Sequence, residues 1–197
     1  MTNEDILEIA KKQIRAEGEV IIDIADQIDE KFIQAARLIA DCRSKVLVTG
    51  AGTSGTMARR LAHLLATCGV PAFYQHPGEG LHGPSAAITQ GDLVIAFSKA
   101  GKSQELNTFC RVAGERGAKI IALTWYLDSP LGQMSDVALQ IRPDEKGEGE
   151  GVLPFGSSLA NGAVGDALTL IVKQMREFDL RTLVQTHPSG ATSELVK

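Results

Sequence analysis

Apolar positions recur every three or four residues through the first 43 positions. Ile6, Leu7, Ile9, Ala10 and Ile14 form one stripe, and Val20, Ile21, Ile24, Ala25 and Ile28 extend it past Gly18. That period predicts amphipathic helix. Asp29, just ahead of Phe32, Ala36, Leu38 and Ile39, is placed to cap a second helix. From Lys45 the pattern changes, and short unbroken Val/Ile/Leu runs alternate with helix-period segments. Strands are predicted at 45–49, 71–74, 92–97, 118–124 and 136–141, and helices at about 55–68, 103–116, 129–134 and 157–177. Such alternation describes a doubly wound α/β fold, a five-stranded parallel sheet covered on both faces. The flavodoxin-like order 2-1-3-4-5 is expected. The chain is read as one domain, 1–197, with N-terminal helices over 1–43 and the α/β core, C-terminal helix and tail over 44–197. There is no internal repeat.

The strand ends carry the candidate chemistry. Lys45-Val-Leu-Val-Thr49 runs into Gly50-Ala-Gly-Thr-Ser-Gly55, and Asp92-Leu-Val-Ile-Ala-Phe97 breaks into Ser98-Lys-Ala-Gly-Lys-Ser103. Each loop brings glycines, hydroxyls and free N–H groups to a helix N-terminus, where aligned peptide dipoles favour an anion. Two such loops at the carboxyl ends of strands in one sheet point to a bound phosphoester. Ligands in these sheets sit where the strand order reverses, which the two loops would flank.

Nucleotide sites fit poorly. The first loop matches G-x-G-x-x-G, but the next strand, Pro71–Tyr74, runs into Gln75-His76, and the first acid is Glu79 beyond a Pro-Gly break. The second loop matches a Walker A motif only at Gly101-Lys102-Ser103, because Ala96 replaces the first glycine.

Two segments are irregular. Residues 75–83 are rich in Gly and Pro and hold His76, Glu79 and His82. Residues 142–156 carry Glu145, Lys146, Glu148, Glu150 and four glycines, and read as a solvated, mobile linker. Thr186-His-Pro-Ser-Gly-Ala191 reads as a surface tail.

Composition narrows the partners. With 197 residues, 44% hydrophobic and 22% charged, the chain suits a globular domain. A net charge of −4 gives no basic footprint for nucleic acid. No apolar run reaches the ~18 residues of a membrane span, and Met1-Thr-Asn-Glu-Asp5 does not begin a signal peptide. Cys42, Cys68 and Cys110 are expected to be buried reduced thiols, which suits a cytoplasmic protein.

The motifs together resemble the sugar isomerase (SIS) domain, and more narrowly the arabinose-5-phosphate isomerases that feed Kdo and capsule synthesis. The resembling residues are Val46–Gly55, Pro71–Gly83 with its His-Pro…Glu…His-Gly signature, Ser98–Glu105, Gly165-Asp-Ala-Leu168, and Thr186–Ala191 with its His-Pro-x-Gly. The resemblance implies interconversion of D-ribulose 5-phosphate and D-arabinose 5-phosphate through an enediol, without metal or organic cofactor. It places Ser54, Ser98 and Ser103, with Thr53, on phosphate-binding hydroxyl positions, and Gly52 beside them. It places Glu105 on a catalytic glutamate, here the carbon base, and His82 and His187 on two functional histidines, assigned to ring opening and proton transfer between oxygens. Glu79 matches a further family acid. The N-terminal helices present more Ile/Leu surface than one small sheet can cover, so a homotetramer, a dimer of dimers, is expected. The resemblance implies that His187 contributes to a site from across a subunit boundary. Family members usually carry two CBS domains after the His-Pro motif; with Lys197 as the last residue, regulation through such modules is not expected.

Taken singly, Glu105 would also complement a helix dipole, His82 would also cap a turn, and His187 would also lie in a tail; His63 reads as structural. The pattern departs from the family at Thr53, where a lysine is usual, at Ala100 for a hydroxyl, and at Lys102 and Lys146 for glutamates. Relocated charge is one account: Lys102 or Lys146 would replace the missing ammonium, and Glu148 or Glu150 the missing acid. A non-catalytic phosphosugar-binding regulator and an isomerase of another phosphosugar, such as a 3-hexulose 6-phosphate, are the alternatives.

Overall fold

The computed structural model describes residues 1–186. Five strands, β1 (Val46–Thr49), β2 (Ala72–Tyr74), β3 (Leu93–Phe97), β4 (Lys119–Thr124) and β5 (Val137–Gln140), form one sheet in the order β2-β1-β3-β4-β5. Every pairing is parallel, as the unbroken apolar runs require. β3 is buried at all five positions, so both of its faces are covered.

Helices α1 (Asn3–Ala25), α2 (Glu30–Asp41), α3 (Gly52–Thr67), α4 (Pro77–Gly80), α5 (Gln104–Glu115), α6 (Pro130–Met134), α7 (Gly156–Met175) and α8 (Leu183–Thr186) follow in chain order with the strands between them. Alternate strand residues feed two cores. On one face Val46, Val48, Ile95 and Leu123 pack with Ile39 of α2, Leu61 and Leu65 of α3, and Leu168 of α7. On the other, Val94, Ala96, Ile120 and Ala122 pack with Leu106, Phe109 and Cys110 of α5 and Leu131 of α6. The period of two in the strands divides the helices between the faces.

Asp29 caps α2 by accepting from Lys31 N–H at 2.8 Å. At the amino end of the sheet, Asp92 is buried and ties β1 to β3. It pairs with Lys45 Nζ at 2.7 Å and accepts from Thr89 N–H at 2.7 Å and the Ser44 hydroxyl. Burial alone would raise this carboxyl, but those partners outweigh it and hold it at about 2.

Two expectations are corrected. Residues 142–156 are not a free linker: the segment is packed at its middle, although 144–146 and 150–153 stay exposed. Gly147, Glu148 and Gly149 are buried, a Cβ on Gly147 would meet Val20 of α1 at 2.7 Å, and Gly149 pairs with Leu153 in an antiparallel bridge. The segment is pinned because its one deeply buried charge has a partner from another loop, described below. Cys42 and Cys110 are buried, but Cys68 is only half-buried, because it sits at the exposed C-terminal end of α3. The α1 stripe carries more apolar surface than the sheet covers, as its length and period lead one to expect. Val20 and Ile24 are buried, whereas Ile6, Leu7, Ile9 and Ile14 stay 50–69% exposed. Among the described residues, no helix is long and apolar enough to cross a membrane.

Candidate functional site

β1 and β3 are neighbours, with Thr49 opposite Ala96. The turns that follow therefore leave the same edge of the sheet ~4.8 Å apart. After β1 the chain passes to the α3 face, and after β3 it passes to the α5 face, so the winding reverses between them. Neither helix is capped by its own side chains: Ala51 precedes α3, and Ser103 makes no cap hydrogen bond to α5. The first-turn N–H groups of both helices thus remain as anion donors at one edge.

The second turn is tightly built. Gly101 N–H donates to Ser98 Oγ at 3.1 Å, and Gly101 O accepts from Leu131 N–H and Asn107 Nδ2. Gly101 has φ +64, and a Cβ there would lie 2.0 Å from Ser129 Oγ, so only glycine fits. Lys99 O accepts from Trp125 N–H at 3.0 Å and from Thr124 Oγ1 at 3.2 Å. Those bonds fix the backbone from which the Lys99 side chain departs.

That side chain reaches a group the periodicity did not single out. Lys99 Nζ lies 3.1 Å from Glu148 Oε1, whose side chain is fully buried, and 4.0 Å from the centre of the Trp125 ring. Ser157 N–H, in the first turn of α7, approaches the other Glu148 oxygen at 3.5 Å. Lys99 lines a cavity of about 40 Å³ with Thr53 and Ser54 of α3 and Ser157, Ser158 and Asn161 of α7. The first turn of α3, the first turn of α7 and one ammonium therefore converge.

A second cluster lies on the other side of the edge. The Glu105 carboxylate is directed at the 76–78 segment: a Cβ on Gly78 would sit 3.5 Å from Glu105 Oε2 and 3.3 Å from His76 Nδ1. That ring nitrogen is buried and has no hydrogen-bond partner among the described residues. Thr49 Oγ1, Asn107 Oδ1 and Trp125 Nε1 share this condition. Thr49 ends β1, Trp125 follows β4, His76 follows β2 and Asn107 lies near the start of α5, so all four orphaned atoms crowd the carboxyl edge of the sheet. Buried polar groups are nearly always paired in native proteins. Four at one edge leave donors and acceptors there that a ligand or water could take.

The sequence-predicted residues divide accordingly. Gly52, Thr53 and Ser54 open α3 beside Lys99. Ser98 accepts within its own turn, and Ser103 is half-buried at the start of α5. Lys102 is exposed and lines no part of the cavity. Glu105 faces His76 and Gly78 rather than the Thr53–Lys99 cavity. Glu79 and His82 flank the buried Gly80, past the buried Pro77, and both are exposed. His187 lies outside the described residues. Lys146 does not supply the relocated charge: its ammonium is 3.3 Å from Asp23, 3.5 Å from Glu19 and 3.8 Å from Asp144, because the packed 142–156 segment turns it toward α1. Glu148, not Glu150, enters the site. Glu150 is exposed, with φ +51. Lys99, Ser157, Asn161 and Trp125 were missed. Among the described residues, no cluster of three or more His, Cys, Asp or Glu is placed to hold a metal.

Residues 38–171 match the profile of the SIS domain family. Among curated proteins, the chain is similar to arabinose 5-phosphate isomerase GutQ of Salmonella typhimurium, 32% identical over 168 residues, which are 85% of this chain and 52% of that protein. It is also similar to arabinose 5-phosphate isomerase KdsD of Yersinia pestis, 32% identical over 187 residues, which are 95% of this chain and 57% of that one. The chain thus spans between half and two thirds of these relatives' length. Among solved structures, it superposes with a TM-score of 0.90 and 27% identity on an Escherichia coli CFT073 protein in complex with arabinose 5-phosphate, covering 95% of this chain and 100% of that one.

Proposed function

The chain belongs to the SIS domain family, and from that premise we propose that it is an aldose–ketose isomerase of a phosphopentose, interconverting D-ribulose 5-phosphate and D-arabinose 5-phosphate. The observation that carries the reading is the carboxyl edge of the sheet, where two uncapped helix N-termini meet four buried polar atoms without partners. The similarity to two arabinose 5-phosphate isomerases supports the choice of substrate.

In this reading the phosphate dianion takes the N–H groups and hydroxyls at Gly52, Thr53, Ser54 and Ser103. Glu105 then removes the proton from the carbon beside the carbonyl, and the pair of electrons forms an enediol. The same proton returns to the neighbouring carbon. His82 and His187 open the furanose ring and move protons between the two oxygens, and Glu79 assists them. General acid–base groups of this kind each contribute ~10²–10⁴ in rate. His76, buried at Nδ1, faces the same Gly78 turn as Glu105, and His82 reaches the sugar from an exposed position.

We further read the exposed apolar face of α1 as the seam of an assembly, a homotetramer with sites at subunit boundaries. Sedimentation that gave a monomer at working concentration would remove this.

Incubation with ribulose 5-phosphate, with arabinose 5-phosphate as the measured product, tests the main reading, and the same assay on a 3-hexulose 6-phosphate tests a different substrate. Glu105→Gln is expected to keep phosphosugar binding and lose turnover by at least ~10²-fold. Turnover equal to that of the unaltered protein would exclude Glu105 as the base. A regulatory phosphosugar-binding protein is the second reading, favoured by Thr53 in the first loop and by the engagement of Lys146 with α1. Ligand binding without turnover would select it.

A further inference from the structure

A dianion at the first turn of α3 meets hydroxyls and amides but no cation from its own loop, since Thr53 and Ser54 are neutral. The other basic groups nearby are committed elsewhere. Arg59 stacks 3.8 Å over Tyr74, Arg60 makes a two-pronged pair with Asp166, and Lys146 faces the acids of α1. Among the described residues, Lys99 is the cation that lines the cavity with Thr53 and Ser54. Its side chain keeps 41% of its exposure while Glu148 keeps none. The lysine can therefore move, whereas the carboxylate cannot leave.

We propose that Lys99 is the cation that receives the substrate's phosphate, and that buried Glu148 is its resting counter-ion. This deepens the isomerase reading and rests on a phosphoester binding at this edge. Without ligand, the ammonium neutralises a carboxylate that would otherwise be buried alone, and it rests over the Trp125 ring. At about 40 Å³ the cavity admits little more than a water or two. An arriving phosphate draws the ammonium toward Thr53 and Ser54 and opens that space. Glu148 meanwhile keeps the Ser157 N–H. The carboxylate thus works against anion binding, because it competes for the ammonium and repels the dianion.

This gives the two partners opposite signs, which a purely structural ion pair would not. The probe is inorganic phosphate, titrated calorimetrically into the full chain, so the reading does not depend on turnover. Glu148→Gln should bind phosphate several-fold more tightly than the unaltered protein, because the ammonium is released and the repulsion is gone. Lys99→Met alone strands a buried carboxylate and risks unfolding the chain, so the working variant is Lys99→Met with Glu148→Gln. It should bind phosphate ~10-fold or more weakly than Glu148→Gln alone, the scale of a charged hydrogen bond. Lys99→Arg should hold the affinity within a few-fold, and Lys102→Met should leave it unchanged.

Equal phosphate affinity in the double variant and in Glu148→Gln would overturn the assignment, as would weaker binding by Glu148→Gln or an unaltered protein that binds no phosphate. Ribulose 5-phosphate turnover is read separately. Phosphate affinities that move as stated in a protein with no turnover leave Lys99 in place and remove the isomerase; normal turnover with unmoved affinities does the reverse.

Discussion

Asp92→Asn should destabilise the fold by at least ~2 kcal/mol at pH 7, and that difference should shrink in acid. Asp92 is 1% exposed and takes Lys45 Nζ at 2.7 Å, Thr89 N–H at 2.7 Å and Lys45 N–H at 3.3 Å, besides the Ser44 hydroxyl. Its carboxyl falls from 3.8 to about 2 in the folded chain. At about 1.4 kcal/mol per unit, the drop corresponds to ~2 kcal/mol favouring the folded state. The sign follows from proton binding. Below 3.8 the unfolded chain takes up a proton that the folded chain refuses, so the contribution is complete above 3.8 and is lost as pH falls through about 2. About half should be gone at about pH 3. An asparagine keeps one acceptor but turns an amide toward Lys45 or Thr89, so ~2 kcal/mol is a floor. Urea unfolding of both proteins at neutral pH and at two acid pH values, about 4 and about 3, measures the difference at one protein concentration, and the melting temperature at neutral pH should drop by about 4–8 °C. If the difference in acid equals that at neutral pH, Asp92 holds no depressed carboxyl and the clasp between β1 and β3 has been misread.

Two more outcomes test the carboxyl edge. Gly101→Ala forces a Cβ to within 2.0 Å of Ser129 Oγ at φ +64, so it should destabilise the fold by ~3 kcal/mol and weaken phosphate binding; a thermal melt unchanged within about a degree would show that the turn opens freely. Trp125 is the chain's one tryptophan and lies under the Lys99 ammonium, so its emission should change on phosphate addition and stay constant in the double variant Lys99→Met, Glu148→Gln; a silent tryptophan in the unaltered protein would mean that Lys99 stays over the ring.

The sheet was legible because its information is local. Five runs of β-branched and aliphatic residues alternating with helical periods admit few arrangements, and the observed order is the expected one. Strand ends shifted by a residue where a polar side chain takes other work: Asp136, read as strand, instead accepts from Ile120 N–H and Lys119 Nζ just before β5. The 142–156 segment was misread for a non-local reason. Its glycines and charges resemble a solvated linker, yet Glu148 is buried because its counter-charge, Lys99, comes from 49 positions earlier. No periodicity reports a pairing of that span. The α1 stripe was correctly periodic, but amphipathicity says only that a face prefers cover, not that this chain supplies it.

The cation in the second loop shows where motif reading ends. Lys102 drew attention because it stands where a glutamate is usual and would bring a relocated cation to the loop. The turn's own hydrogen bonds aim a different lysine at the start of α3. With Lys99 O held by Trp125 N–H and Thr124 Oγ1, and Gly101 held by Ser98 and Leu131, the side chain at 99 is directed toward Glu148 and the α3 start, while Lys102 is exposed. In the proposed reading, the backbone N–H groups of two helices hold the anion wherever the cation comes from. A lysine lost from one loop can therefore be replaced from another without changing the sheet, provided that a buried acid holds the new ammonium in place until the ligand arrives. Glu148 meets that condition; Glu150, two residues on and exposed, does not.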